Sequence, residues 1–137
     1  MISNDEVAKA LISYLKSQIL VTNLLTLLET GAVEIRESQW QGTDFSYPAV
    51  RLKMIRNAPT NDDCNKNEIM FSWGVFTEDQ SSLYCNQICG TIAEVSHQKH
   101  FSSEGLLLSL RVTNLVPAIR SDTRTWRGEV LVSGLVS

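Results

Sequence analysis

The sequence predicts an α+β fold: a four-stranded, mainly antiparallel sheet with helices packed on one face, in the order α-β-β-α-β-β. Three observations lead to it. From Glu68 to Phe76, Ile69, Phe71, Trp73 and Val75 alternate with Met70, Ser72, Gly74 and Phe76. That period of two marks a strand with one well-buried face. After the stop Thr77-Glu78-Asp79-Gln80, a helical period places Tyr84, Ile88, Ile92 and Val95 with Cys85 and Cys89 on one arc. Gln87, Thr91, Glu94 and Gln98 fall on the other arc. Finally, further alternating runs occur on both sides of this strand–helix pair, and helices segregated to one face of a sheet satisfy all of them.

The elements follow in order. Ser3 and Glu6 form a capping-box pattern that opens a helix from about Asn4 to Leu20. Its apolar arc holds Val7, Ala8, Leu11, Ile12, Tyr14, Leu15 and Ile19, against Lys9, Ser13, Lys16 and Ser17. Leu24 to Leu28 makes a second helical segment, which Gly31 ends. Val33 to Arg36 is a short strand, and Glu37 to Ser46 is a loop holding Trp40 and Phe45. Tyr47-Pro48 opens a strand from Ala49 to Ile55, with Val50, Leu52 and Met54 alternating with Arg51 and Lys53. Arg56 to Asn67 reads as a long polar connection containing Asp62 and Asp63.

Thr77 and Gln80 are spaced to cap the central helix reciprocally, and Glu78 and Asp79 suit the positive end of its dipole. Beyond it, His97 to Gly105 reads as a polar link. Leu106 to Val112 is a strand with Leu106, Leu108, Leu110 and Val112 on one side, and Asn114 to Ser121 is a loop. The last strand runs from Arg124 to Val136. It carries Trp126, Val130 and Val132 on one side and Arg127, Glu129, Leu131 and Leu135 on the other. Gly128 and Gly134 within it mark bulges or close contacts.

Length and composition bound the function. A chain of 137 residues reads as one domain, residues 1–137. It is large enough to bury roughly two-thirds of its unfolded surface without metals or disulfides. The net charge of −3, with acids and bases interspersed, gives no basic block for nucleic acid or a membrane surface. No apolar run reaches bilayer length. Three cysteines, with no basic, apolar leader at Met1-Ile2-Ser3-Asn4-Asp5, point to free thiols in a reducing, intracellular setting.

Cys64, Cys85, Cys89, His97 and His100 are the metal or thiol candidates. Cys85 and Cys89 share a helix face with Ile88 and Ile92, however, which reads as small buried hydrophobes, and no two-residue cysteine spacing occurs. No nucleophile elbow, metalloprotease helix motif or phosphate loop is present, so no catalytic residue and no cofactor is assigned. Trp73 belongs to the core; Trp126 is ambiguous; Trp40, in its loop, is the candidate for an exposed contact.

Three stretches carry a family resemblance: Ser46-Tyr47-Pro48-Ala49-Val50, the run from Phe71 to Ser82, and Trp126-Arg127-Gly128-Glu129-Val130-Leu131-Val132. With the layout of nearly the whole chain, they resemble the tail terminator or tail-completion (head–tail joining) proteins of long-tailed bacteriophages. The resemblance implies a virion structural protein without enzymatic activity, assembled in the host cytoplasm. Such a protein forms a ring, usually of six copies, at the neck or tail end. Its partners would be further copies of itself, the tail tube protein and the head-side neck or connector protein, with passive contact between channel loops and DNA and none with a membrane. The family has no catalytic motif. The subunit and partner interface is therefore placed on Trp40, Arg56, Asp62, Asp63, Lys66 and Trp126, whose mixed charges suit register against a neighbour. The competing readings are a small intracellular protein with a metal or thiol site at Cys64, Cys85, Cys89 and His100, and another neck or baseplate component.

Overall fold

A computed structural model describes residues 2–25, 34–39, 47–60, 66–78, 81–122 and 125–137. The elements are α1 (Asn4–Ser17), α2 (Ile19–Leu25), β1 (Ile35–Glu37), β2 (Ala49–Pro59), β3 (Asn67–Thr77), α3 (Leu83–Ser96), β4 (Lys99–Ser103), β5 (Leu106–Arg120) and β6 (Trp126–Val136). The strands form one six-stranded sheet in the order β1-β2-β3-β6-β5-β4, with β1 parallel to β2 and the other neighbours antiparallel. This overturns the four-stranded sheet in the order α-β-β-α-β-β. The sheet has two strands beyond those four, β1, which overlaps the short strand expected at Val33–Arg36, and β4; one pairing is parallel; and α2, which overlaps the second helical segment expected from Leu24, stands between α1 and β1. The sheet curls into a half-barrel, so that α1 meets β1 and β2 near one edge and β4 at the other.

Its inner face is built by alternation. Val50, Leu52, Ile69, Phe71, Trp73, Val75, Leu108, Leu110, Val130, Val132 and Val136 meet Val7, Leu11 and Leu15 of α1 and Cys85, Ile88 and Ile92 of α3 in one buried cluster. Fully burying each large apolar side chain contributes about 1.5–3 kcal/mol, so this layer is the main source of stability. Phe71 and Trp73 meet edge to face, with ring centroids 5.9 Å apart.

Several boundaries move for physical reasons. The N-terminal helix has its capping box, with Glu6 Oε2 accepting from the Ser3 N–H at 3.3 Å. It stops at Ser17 rather than Leu20, because Gln18 is extended (φ −85°, ψ 106°). The break turns Ile19 out, 71% exposed, although the helical period had placed it on the apolar arc. Thr77 does not cap the central helix: it is the last residue of β3, and α3 begins at Leu83 behind Ser82.

The expected Arg56–Asn67 connection is mostly hairpin. β2 continues to Pro59 across a one-residue bulge, and Pro59 pairs with Asn67. The expected His97–Gly105 link contains β4. Glu104 (φ 50°) and Gly105 (φ 80°) form the two-residue turn into β5, a conformation that favours glycine at the second position. The expected Asn114–Ser121 loop is instead the far half of β5, carried through two register shifts around Thr113 and Pro117. Thr26, Leu27, Leu28, Gly31, Val33, Phe45, Asp79, Gln80 and Arg124 lie outside the described residues.

Both glycines of β6 mark close approaches. A Cβ on Gly134 would run into the backbone oxygen of Ser109, and one on Gly128 would stand 2.7 Å from Cys89 Sγ. Gly90, on the exposed side of α3, has no neighbour within 4 Å of where its Cβ would be. Gly134→Ala is therefore expected to cost about 2 kcal/mol through forced backbone displacement. Gly90→Ala is expected to stabilise by about 1 kcal/mol through helix propensity. Urea denaturation checks both, and an unchanged midpoint for Gly134→Ala would contradict the packing described.

Candidate assembly surface

The register of the five larger strands sets which side chains share the outer face. Four cross-strand rows run over it: Ala58–Glu68–Leu135–Ser109–His100, Arg56–Met70–Ser133–Arg111, Lys53–Ser72–Leu131–Asn114 and Arg51–Gly74–Glu129–Val116. Arg56 is on this face because of the bulge. Without the shift between Met54 and Arg56 it would point inward opposite Ile69, and Asn57 would point out. Instead Asn57 faces inward, where its Nδ2 donates to the Ile2 carbonyl and to Asn4 Oδ1, both at 3.0 Å. Asn67 Nδ2 donates to the same carbonyl at 3.0 Å and to Asn57 Oδ1 at 2.7 Å, so the start of α1 is tied to the β2–β3 hairpin.

The outer face combines charge with exposed apolar groups. Its acids are bonded to bases beside them. Glu34, which precedes β1, holds Arg36 at 3.1 Å and Arg51 at 3.3 Å; Glu129 holds Arg127 at 3.4 Å; Glu68 lies 3.9 Å from Arg56. Met70, Leu107 and Leu135 are 38%, 62% and 44% exposed. Lys66, His100, Leu107, Leu135 and Ser137 line a shallow hollow of about 470 Å³ at one end of this face. Within the described sheet β4 is an edge strand, with β5 its sole strand neighbour.

Of the residues expected at the interface, Arg56 is exposed on the outer face, Lys66 stands at the foot of β3 in that hollow, and Trp126 opens β6 half-buried under Arg120, whose guanidinium is 5.8 Å from the ring centre. Arg56 and Lys66 share the outer face and its rim, whereas Trp126 belongs to the inner side at the opposite end of β3. Trp40, Asp62 and Asp63 lie outside the described residues. Periodicity missed His100, Leu107 and Arg111 as outer-face neighbours, because a strand's face can be read from sequence while its position in the sheet cannot. Glu104-Gly105 marks a turn before the Leu106 run, but Lys99–Ser103 has no alternating apolar run on its other side to complete a hairpin signal.

Among the described residues, the thiol candidates are not brought together with the imidazole candidates. Cys85 and Cys89 are buried on the inner face, and Cys85 Sγ donates to the Val75 carbonyl at 3.4 Å. Contact with Cys85 and then burial push the Cys89 thiol far above its usual range. His100 sits on the opposite face, bonded to Ser109, and His97 Nδ1 accepts from the Val112 N–H at 3.1 Å. Cys64 is outside the described residues; among those described, no three His, Cys, Asp or Glu side chains converge as metal ligands. Likewise, no described helix is long and apolar enough to cross a membrane.

No protein-family model and no curated protein matches the chain in sequence. Its fold is similar to that of a chain in the solved virion of a native gene transfer agent (GTA) particle, with a TM-score of 0.71 at 13% identity. That match covers 93% of this chain and 91% of the other. A second solved chain matches with a TM-score of 0.61 at 14% identity, over 100% of this chain and 97% of that one. At these identities the likeness is one of fold.

The thiol pair yields a pH dependence. A folded-state pKa raised above the unfolded value means that the unfolded chain loses a proton first as pH rises. Stability contributed by the protonated Cys89 is thus present below about pH 8.5, the ordinary thiol pKa, and declines above it. Denaturation midpoints at pH 7 and pH 10 for the parent and Cys89→Ala should show a steeper alkaline loss in the parent. Equal losses, or labelling of Cys89 by a thiol reagent in the native state, would show the thiol to be ordinary.

Proposed function

We propose that this chain is a structural protein of a phage-like virion, working at the neck or tail end as a ring that terminates the tail tube and joins tail to head. The observation that carries the reading is the near full-length similarity of its fold to a chain of the gene transfer agent virion. The likeness to tail terminator proteins supplies the more particular role. The physical features suit it: a ring needs two unlike lateral surfaces on each subunit that meet head to tail. An edge strand such as β4 and a sheet face carrying exposed Met70, Leu107 and Leu135 are surfaces of that kind.

On this reading the work is stoichiometric. Ring and stacking interfaces are buried once, in the virion, and nothing is turned over. Further copies of the chain form the ring, a tail tube protein lies on one side, and a head-side connector lies on the other. No cofactor takes part.

Electron microscopy of the purified protein mixed with tail tubes tests this. Rings seated at one end of each tube, and tubes that stop lengthening, are the expected result. Tubes that keep growing with bare ends, at protein concentrations well above that of tube ends, would refute the assignment.

A further inference from the structure

Strand β4 covers only the near part of β5. Its pairing ends at Lys99–Leu110, while β5 runs on to Arg120, so from Arg111 onward no described strand lies on that side. α3 stands along this open edge and caps it at two points. His97 Nδ1 accepts from the Val112 N–H at 3.1 Å, and Asn86 Oδ1 accepts from the Ala118 N–H at 2.9 Å. Leu115, between them, turns its backbone the same way. Leu107 and Ser137 exchange both backbone bonds at 2.9 Å, so alternate residues back from Ser137 turn their N–H and C=O toward β5. Leu131 and Glu129 are two of these and pair with Asn114 and Val116, which leaves Leu115 facing outward. Among the described residues, the N–H and C=O of Leu115 have no partner.

A slot opens beside Leu115. Between Asn86 and His97, the residues that α3 turns to this edge include Gly90 and Ala93, and no atom lies within 4 Å of where a Gly90 Cβ would be. With Glu94, His97, Val112 and Leu115 they line a hollow of about 590 Å³. Ala93, Val112 and Leu115 give it apolar walls. Glu94 stands exposed at the slot, with no base within 4.0 Å of its carboxylate among the described residues.

We infer that β5 receives an extended segment of another protein at Leu115, and that a lysine or arginine of that segment lies in the slot against Glu94. The backbone dictates an extended occupant, since open N–H and C=O groups on a sheet edge are met by an added strand. Residues paired across strands send their side chains to the same face, so the residue opposite Leu115 directs its side chain into the slot. A long basic side chain suits it: the methylene stem lies along the apolar walls and the charged head reaches the carboxylate. Nucleic acid is disfavoured, because Glu94 repels phosphate. Asn86 and His97 already hold the N–H groups that a longer strand would use, which also guards the edge against indiscriminate pairing. The open stretch therefore suits a lone segment, a loop or a chain end, better than a strand joined to its own helix as β4 is. Docking of this kind does not depend on ring formation.

Backbone NMR of the full chain tests this with short capped peptides of alternating threonine and valine, carrying a central lysine or a central glutamate. The Leu115 amide should exchange freely with solvent in the protein alone, and about tenfold or more slowly with the lysine peptide bound. The glutamate peptide should bind about fivefold more weakly, and Glu94→Gln should abolish that preference. Gly90→Leu, which fills the slot from a position with open space, should remain folded by circular dichroism and bind neither peptide. An unchanged Leu115 amide at millimolar peptide, equal affinity for the two peptides, or undiminished binding to Gly90→Leu would overturn the inference. So would protection of Leu115 that grows with protein concentration and needs no peptide, since the occupant would then be a second copy of the chain.

Discussion

A one-residue bulge between Met54 and Arg56 determines what each face of the molecule carries. Before it, Val50, Leu52 and Met54 point into the core and Arg51 and Lys53 point out. After it, Asn57 points in and Arg56 points out. Continuing the first register would turn Arg56 inward opposite Ile69, and burying an unpaired charge costs far more than one irregular pair in a ladder. The inward Asn57, with Asn67, supplies the polar anchor that fixes the first residues of α1. The same shift thus joins helix to sheet on one side and completes the basic column on the other.

Closure of the sheet depends on its last strand. β6 is C-terminal in sequence yet lies between β3 and β5, pairing with β3 without interruption from Asn67–Val136 to Thr77–Trp126. Its two glycines allow close approach where it matters. Gly134 lets β5 come against it, and Gly128 leaves room for the thiols of α3. Tyr14 then binds the helices together, stacking on Phe101 of β4 and donating to the Val95 carbonyl at 2.5 Å. The result is a scaffold with a dense interior and an outer sheet face that carries ion pairs beside exposed Met70, Leu107 and Leu135.

Strong alternation made β3, α3 and the inner side of β6 legible in the sequence. Ile69, Phe71, Trp73 and Val75 are all buried, as their spacing implies. β4 was not legible, because Lys99-His100-Phe101-Ser102-Ser103 carries one apolar side chain and is held by backbone pairing to β5. The far half of β5 was lost because its register shifts break the period of two that identifies a strand. The surface was legible only in part. Alternation placed Lys53 on a wet face, but its relation to Arg111 across three intervening strand boundaries follows from the order of strands, which no local pattern encodes.

The ring we propose would join unlike surfaces of successive copies into a closed assembly. Native mass spectrometry over a range of protein concentration and salt tests that claim most directly. It predicts one oligomer of fixed subunit number at low salt, giving way to subunits as salt screens the contacts. A spectrum of monomers throughout, or an open series of ever larger masses, would contradict it.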